Sequence, residues 1–219
     1  MSEIVQDYIE DYLRGLIPAD RPQIEEFRKR AMDDAIPIIH KEVQKHIELL
    51  IAAQKIRTIL EVGTAVGFSA SIFAQAMGSL GQVDTIERNL NMVVQADENI
   101  TGLGLKNQIN LMVGDAQEKL AKLDKTYDMI FLDGAKGHYI HLLDDCLRCL
   151  KPGGLLISDN VLFKGMIATN ELVIRRKITI VKRMRVYLET ISNHPQLITS
   201  ILPLGDGLAI SWKKNIETI

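Results

Sequence analysis

Apolar residues follow two different patterns along the 219-residue chain. Over residues 1–55 they recur at helical spacing, as in QIEEFRKRAMDDA and HKEVQKHIELLIAAQ, and Pro18 and Pro22 mark a break. From residue 56 onward, short apolar runs alternate with helical stretches, and each run ends in a polar or glycine-containing turn. Five runs have the length of a buried strand: residues 58–63, 82–88, 109–115, 127–133 and 155–160. This alternation predicts an α/β fold with a mostly parallel sheet and helices on both faces.

The end of the chain carries a different signal. Two apolar runs, LITSILPL and LAISWK, are separated only by Gly205-Asp206-Gly207. So short a link predicts a hairpin, which adds an antiparallel strand to the sheet. A parallel sheet closed by such a strand resembles the seven-stranded, Rossmann-like class I methyltransferase fold. Because the chain shows no repeat and no Pro/Gly-rich linker, we predict a single domain over residues 1–219, with a helical elaboration at 1–55 and the core at 56–219.

The overall composition excludes several classes of protein. The chain is 47% apolar with a formal net charge of −2, which fits a full hydrophobic core and gives no global indication of nucleic-acid binding. Two cysteines, Cys146 and Cys149, are too few for a disulfide scaffold, and their C-x-x-C spacing in an apparent helix favours buried packing over half a zinc site or a redox motif. No apolar run approaches the roughly 18 residues that span a bilayer, and the acidic N-terminus lacks a signal core. We therefore expect a cytoplasmic protein with no membrane partner.

One segment departs from this near-neutral balance. Residues 171–190 hold six basic and two acidic side chains, a local charge of +4 that leaves −6 on the rest of the chain. Such a segment is either the solvated face of an amphipathic helix or a contact surface for nucleic acid, and both can hold together. Its basic residues are Arg175, Arg176, Lys177, Lys182, Arg183 and Arg185.

The first three predicted strands end in residues suited to a nucleoside-containing cofactor, which in open α/β sheets binds at the carboxyl ends of the strands. Gly63 begins a turn with G-x-x-x-G spacing, unlike the G-x-G-x-x-G of dinucleotide sites, and Ser69 follows at the start of the next helix. Glu87 ends the second strand, where a carboxylate can accept hydrogen bonds from ribose hydroxyls. Asp115 ends the third strand, where it can accept one from an adenine amino group. Each acid alone could equally be a solvated strand-end residue or a helix cap.

The next two strands end in Asp133-Gly134-Ala135-Lys136 and Asp159-Asn160. Neighbouring parallel strands end at the same edge of a sheet, so Asp133, Asp159 and Asn160 can converge. Two carboxylates and an amide oxygen suit Mg²⁺ or another octahedral cation. In the alternative interpretation, Asp159 and Asn160 cap the following segment and Asp133 binds the cofactor. Lys136, three residues after Asp133, favours a catalytic site.

These motifs resemble the cation-dependent O-methyltransferases of the catechol and caffeoyl-CoA type. The resemblance runs from about Ile38 to the C-terminus, through LEVGTAVGFSA, IER, GDA, FLDGAKGHY, KPGG, SDNVL and GDGLAIS, and FLDGAK and SDNV are its specific segments. It implies S-adenosylmethionine as methyl donor and a divalent cation such as Mg²⁺ held by Asp133, Asp159 and Asn160, with Asp133 also near the methionine amino group. It implies that Lys136 is the general base. The residues it places at the cofactor are Ile39, Gly63, Ser69, Glu87, Asp115 and Asp133.

Within that family the sequence is most similar to the bacterial tRNA 5-hydroxyuridine methyltransferases. The similarity rests on DNVLFKGMIA, the following basic stretch, NHP and PLGDGLAIS. It implies conversion of 5-hydroxyuridine at the wobble position to 5-methoxyuridine, with the tRNA anticodon loop as partner. O5 and O4 of that base are neighbouring oxygens, which can chelate a metal as a catechol does. Phosphate contacts would then come from Arg175, Arg176, Lys177, Lys182 and Arg183.

Three alternative functions stay open at this point. The chain could methylate small catechols, it could be an NAD-dependent oxidoreductase on a related fold, or it could be a non-catalytic RNA-binding module. The N-terminal helices could cover the active site or form a dimer interface, and we expect a homodimer.

Overall fold

The computed structural model describes residues 5–134 and 136–215. Within these ranges the chain forms eight helices: α1 (Asp7–Leu16), α2 (Pro22–Asp33), α3 (Lys41–Ala53), α4 (Phe68–Met77), α5 (Leu90–Gly102), α6 (Ala116–Ala121), α7 (Tyr139–Cys149) and α8 (Ile178–Ser192). The same ranges contain seven strands: β1 (Thr58–Val62), β2 (Gln82–Glu87), β3 (Ile109–Val113), β4 (Tyr127–Leu132), β5 (Leu150–Ser158), β6 (Leu197–Leu202) and β7 (Leu208–Lys213). The strands form one sheet in the order β3-β2-β1-β4-β5-β7-β6. The predicted α/β class is therefore confirmed.

The described residues divide into two compact units, one of residues 8–115 and one of residues 116–215 with 5–7. In the first unit, β1 pairs with β2 and β2 with β3, in parallel and in continuous register. The interiors of β1 and β2 are buried, as expected for parallel strands covered on both faces. Helix α4 is buried along most of its length, and its apolar side chains form part of the core of this unit.

The second unit contains the predicted terminal hairpin. β4 and β5 are parallel, whereas β7 is antiparallel to both β5 and β6. β5 begins at Leu150, five residues before the predicted run, because the Lys-Pro-Gly-Gly segment joins the strand through a shift of register opposite Asp128. An added Cβ at Gly154 would lie 2.9 Å from the carbonyl oxygen of Asp128, so this close approach of two backbones requires glycine.

The basic segment does not form one helix. Residues 175–177 form a short 3-10 turn, and α8 begins only at Ile178. On α8 the side chains of Val181, Met184 and Leu188 are buried, which confirms the predicted apolar side of this helix. Ile178, at its first residue, is 40% exposed.

Two smaller expectations concern thiols and membranes. Cys146 and Cys149 are buried free thiols on α7, and burial raises the pKa of both. This agrees with the packing role predicted for them. In the part of the chain that the structure describes, no helix has the length and apolar character needed to cross a membrane.

Candidate active site

The turn between β1 and α4 carries the first set of predicted cofactor residues. Gly63 and Gly67 both have positive φ, 104° and 83°, and Gly67 is the residue that precedes α4. A Cβ added at Gly67 would lie 3.4 Å from side-chain atoms of Ala96 and Ile100 on α5. Gly67 therefore lets the turn before α4 pack against α5. Ser69, at the second position of α4, is only 7% exposed.

Glu87 joins this turn to the end of β2. Its Oε2 accepts a hydrogen bond from the backbone N–H of Ala65 at 3.0 Å, and its Oε1 accepts from the N–H groups of Arg88 and Asn89 at 2.9 and 2.8 Å. Oε2 accepts only one of these bonds, so it keeps a lone pair for a ribose hydroxyl. The N–H of Gly114 donates to the carbonyl of Glu87 at 2.9 Å, which brings the exposed Asp115 close to Glu87.

Ile39 lies in the segment before α3 and is 2% exposed. Arg28, a buried residue of α2, donates to the carbonyl oxygen of Ile39 at 3.3 Å, and its guanidinium lies 4.6 Å from the ring centroid of Phe68. Because Phe68 is the first residue of α4, Arg28 brings Ile39 to the start of the helix that carries Ser69. Of the five residues predicted for the cofactor in this unit, four lie at the β1–α4 turn or at the ends of β2 and β3, and Ile39 approaches the start of α4 through Arg28. Their oxygen acceptors suit the hydroxyl and amino groups of S-adenosylmethionine.

Glu61 is a polar residue of this turn region to which the sequence analysis gave no role. It lies on β1 with no exposed surface, and it accepts a hydrogen bond from the hydroxyl of Thr85, which also contacts the hydroxyl of Thr64 at 2.6 Å. Burial raises the pKa of Glu61 to about 7, although hydrogen bonds from Ser69 and Thr85 act in the opposite direction. In the sequence, the sign of such a role was a charged residue inside an otherwise apolar strand.

The predicted metal ligands lie at the ends of β4 and β5 in the other unit. Leu132 pairs with Ser158, and the N–H of Asp159 donates to the carbonyl of Leu132 at 2.9 Å, so Asp133 and Asp159 follow directly on paired residues. Asp159 is 2% exposed, and its Oδ1 accepts from the N–H of Asn160 at 2.6 Å. The structure therefore brings the three residues to one edge of the β4–β5 pair.

Tyr139, the first residue of α7, links these two strand ends by hydrogen bonding. Its single hydroxyl proton is shared between the backbone carbonyls of Leu132 and Asp159, whose oxygens lie 3.0 and 3.3 Å from the hydroxyl oxygen. The pKa of Tyr139 is raised well above its ordinary value by burial and by the negative charges of Asp133 and Asp159. Tyr139 is almost completely buried, so it anchors the two strand ends rather than lining an open site.

The donor set at this edge fits a hard divalent cation. Two carboxylates and an amide oxygen are the ligand types that Mg²⁺ and similar ions prefer, and they would leave positions for water and substrate. Over residues 5–134 and 136–215, no group of three or more His, Cys, Asp or Glu side chains lies in place to hold a metal. The predicted site therefore depends on Asn160 as its third ligand.

Lys136 lies in the 3-10 turn that leads into α7. Its ammonium is 5.8 Å from the ring centroid of Phe163, and the ammonium of Lys177 is 5.6 Å from the same centroid. The half-buried ring of Phe163 thus lies within reach of two cations, four residues after Asp159.

The six basic residues of the 171–190 segment have different surroundings. Arg175, Arg176 and Lys182 are exposed, and Lys177 approaches Phe163. Arg183 is exposed but donates to the carbonyl of Gly137 at 3.3 Å. Arg185 donates to backbone carbonyls of residues 166 and 167 and to the side chain of residue 170. The segment is thus not one uniform basic surface.

Comparison with known proteins assigns the family. A sequence model of the O-methyltransferase family matches residues 18–214. A catechol O-methyltransferase of Niastella koreensis is 32% identical over 127 residues, which are 56% of this chain and 58% of that relative, so the chain spans little more than half of it. Probable caffeoyl-CoA O-methyltransferase 2 of Dictyostelium discoideum is 25% identical over 87% of this chain and 83% of its own length.

Solved structures agree with this assignment. A candidate caffeoyl-CoA O-methyltransferase from Staphylococcus aureus superposes with a TM-score of 0.89 at 35% identity, covering 94% of this chain and all of that one. A methyltransferase from Geobacter sulfurreducens superposes with a TM-score of 0.78 at 25% identity, over 97% and 99% of the two chains. The predicted Rossmann-like methyltransferase fold is confirmed, and the chain belongs to the S-adenosylmethionine-dependent O-methyltransferase family, of the caffeoyl-CoA and catechol type.

Proposed function

We propose that the enzyme methylates 5-hydroxyuridine at the wobble position of tRNA to 5-methoxyuridine, with a bound divalent cation. The observation that carries this proposal is the place of Lys177. It is the last of three consecutive basic residues, and its ammonium lies at the same aromatic ring as that of Lys136. Cationic side chains beside the predicted catalytic lysine favour a substrate with phosphate groups close to the reacting base.

The residues of the β4–β5 edge support a direct transfer. The substrate oxygen would form a bond to the methyl carbon as the carbon–sulfur bond breaks, and S-adenosylhomocysteine would leave. The hydroxyl proton would pass to Nζ of Lys136. Asp133, Asp159 and Asn160 would hold the cation, whose charge stabilises the developing oxyanion. No covalent enzyme intermediate is required.

The exposed residues Arg175, Arg176 and Lys182 would hold the backbone of the anticodon loop. The target base would leave its stack to reach the site, and the ring of Phe163 is available for it to contact. The second candidate function is methylation of a small catechol or of a caffeoyl-CoA ester. Similarity to enzymes with those names favours it, and the phosphates of coenzyme A would also suit a basic segment.

The test is transfer of labelled methyl from S-adenosylmethionine, with and without EDTA, to three acceptors: tRNA containing 5-hydroxyuridine, catechol and caffeoyl-CoA. We expect labelling of the tRNA alone, abolished by EDTA and restored by added Mg²⁺. Labelling of catechol or caffeoyl-CoA alone would contradict the tRNA proposal, and labelling that resists EDTA would contradict the cation.

A pair of variants tests the basic segment separately. Replacing Arg175 and Arg176 with Ala should weaken tRNA binding. The plot of the logarithm of the association constant against the logarithm of salt concentration should become less steep by about one to two, because two phosphate contacts are lost. Replacing Lys29 and Lys122, which are also exposed, removes the same charge elsewhere and should leave the slope unchanged. Equal effects of the two double variants would show that only net charge matters.

A further inference from the structure

The backbone that follows Asp159 is held in an unfavourable conformation. Over residues 5–134 and 136–215, six non-glycine residues have positive φ, and three of them are Asn160 at 55°, Phe163 at 45° and Lys164 at 55°. Side chains with a Cβ rarely adopt such angles, and they keep them only where surrounding contacts impose them. Contacts with other parts of the chain must therefore hold residues 160–168 in this conformation.

The turn between β6 and β7 fixes its first half. The N–H groups of Val161 and Leu162 donate to the carbonyls of Gly207 and Asp206 at 2.9 and 3.0 Å. The N–H of Lys164 donates to Oδ1 of Asp206 at 2.5 Å. Gly207 has φ of 90°, and a Cβ there would lie 2.7 Å from the backbone nitrogen of Leu162. The two segments therefore approach each other too closely for any side chain at position 207.

Arg185, on α8, fixes the second half. Its Nε donates to the carbonyl of Ile167 at 2.9 Å, and its Nη2 to that of Met166 at 3.2 Å. Its Nη1 donates to Oδ1 of Asn170 at 2.8 Å. The neighbouring side chain of Met184 is fully buried, so the helix that carries the guanidinium is itself anchored. A planar cation with fixed donors is suited to hold several backbone carbonyls at once.

We propose that Arg185 is a positioning residue for methyl transfer. Arg185 holds the carbonyls of residues 166 and 167, and the N–H groups of these two residues donate to the carbonyls of Phe163 and Leu162 at 3.1 and 3.4 Å. Through these bonds it supports the first half of the segment in the conformation that presents Asn160 and Phe163. Arg185 belongs to the basic segment of residues 171–190, but its donors are directed at the protein. This inference rests on the roles proposed above for Asp159 and Asn160.

The chain offers a closely matched control in Arg148. That guanidinium also donates to two backbone carbonyls, of Leu123 at 2.5 Å and Leu120 at 2.7 Å, and to one side-chain oxygen, the carboxylate Oδ1 of Asp145, at 2.8 Å. It holds the end of α6 rather than the segment after Asp159. The experiment compares Arg185→Met, Arg185→Lys and Arg148→Met by thermal unfolding, by amide hydrogen exchange, and by kcat and KM on the acceptor that the wild-type enzyme methylates.

We expect Arg185→Met to speed hydrogen exchange in peptides covering residues 159–170 and to lower kcat by about tenfold to 100-fold, since small misplacements of reacting groups have effects of that size. The KM for S-adenosylmethionine should stay at the wild-type value. Arg185→Lys should recover part of kcat, because its ammonium keeps the positive charge and one donor nitrogen. Arg148→Met should lose stability and speed exchange near residues 116–124 only.

Two results would overturn the inference. One is wild-type exchange over residues 159–170 in Arg185→Met, and the other is a kcat loss in Arg148→Met as large as in Arg185→Met. Methylation of catechol in place of tRNA would contradict the proposed substrate alone, because the Arg185 comparison then proceeds on catechol.

Discussion

Glu61 is a carboxyl group inside a strand of apolar side chains, and its surroundings differ from those of a surface acid. It has no exposed surface, and within the described ranges its Oε1 has no hydrogen-bond partner. Its other oxygen accepts from Thr85, and burial raises its pKa from 4.5 to about 7. The protonated form is therefore favoured in the folded protein at mildly acidic pH.

This raised pKa predicts that part of the stability is lost as pH rises. Between pH 4.5 and 7 the folded state keeps the proton of Glu61 while the unfolded chain releases it, so the free energy of unfolding falls across that window. The change for this group is about 3 kcal/mol. Urea unfolding of the wild type and Glu61→Gln at pH 5 and pH 8 should show the wild type losing stability relative to the variant. Parallel pH dependence of the two proteins would contradict a raised pKa.

At the scale of elements, the turn that leads into α4 packs against α5 at Gly67. Its φ of 83° disfavours any side chain, and an added Cβ would be in contact with Ala96 and Ile100. Gly67→Ala should therefore destabilise the protein by about 1 to 3 kcal/mol. Gly102→Ala is the control, because Gly102 ends α5 with open space around it and without a positive φ.

The control change should be neutral or stabilising by up to about 1 kcal/mol, since alanine favours the helix. Both free energies are measured by urea unfolding at one pH. If Gly67→Ala is as stable as Gly102→Ala, the left-handed conformation at the start of α4 is not required.

The apolar pattern predicted most elements because burial on both faces of a parallel sheet leaves a direct mark on sequence. The pattern missed the early start of β5, because Lys-Pro-Gly-Gly has the composition of a turn. This segment becomes part of the strand only through the shift of register beside β4. The strand-end acids were predictable from topology. The roles of Arg183 and Arg185 were not, because their acceptors are backbone carbonyls far away in sequence.

At the scale of the whole molecule, α1 is packed by its polar side. Glu10 is 5% exposed, and Arg14 forms hydrogen-bonded ion pairs with Glu42 at 2.8 Å and with Glu10 at 3.0 Å. The opposite side is apolar and open to solvent: Tyr8 is 70% exposed, Tyr12 68% and Leu16 63%. In most helices the apolar side is buried against the protein, whereas on α1 it is exposed to solvent.

The charges beside this apolar surface restrict what can cover it. Asp7 and Asp11 are exposed at its margin, and these carboxylates disfavour the phosphates of RNA and of anionic lipid. A second copy of the chain, related by a two-fold axis, would cover both apolar surfaces at once. The homodimer expected from the sequence therefore has a defined interface to test.

Sedimentation velocity of the wild type, Tyr12→Asp and Leu80→Asp provides that test. We expect the wild type at twice the chain mass of 24.6 kDa and Tyr12→Asp at the monomer mass, because a carboxylate at the centre of the apolar surface would be buried without a partner. Leu80, 77% exposed in the turn before β2, controls for the added charge, and its variant should remain a dimer. If the wild type sediments as a monomer at micromolar concentration, or if the two variants behave alike, α1 does not form the interface.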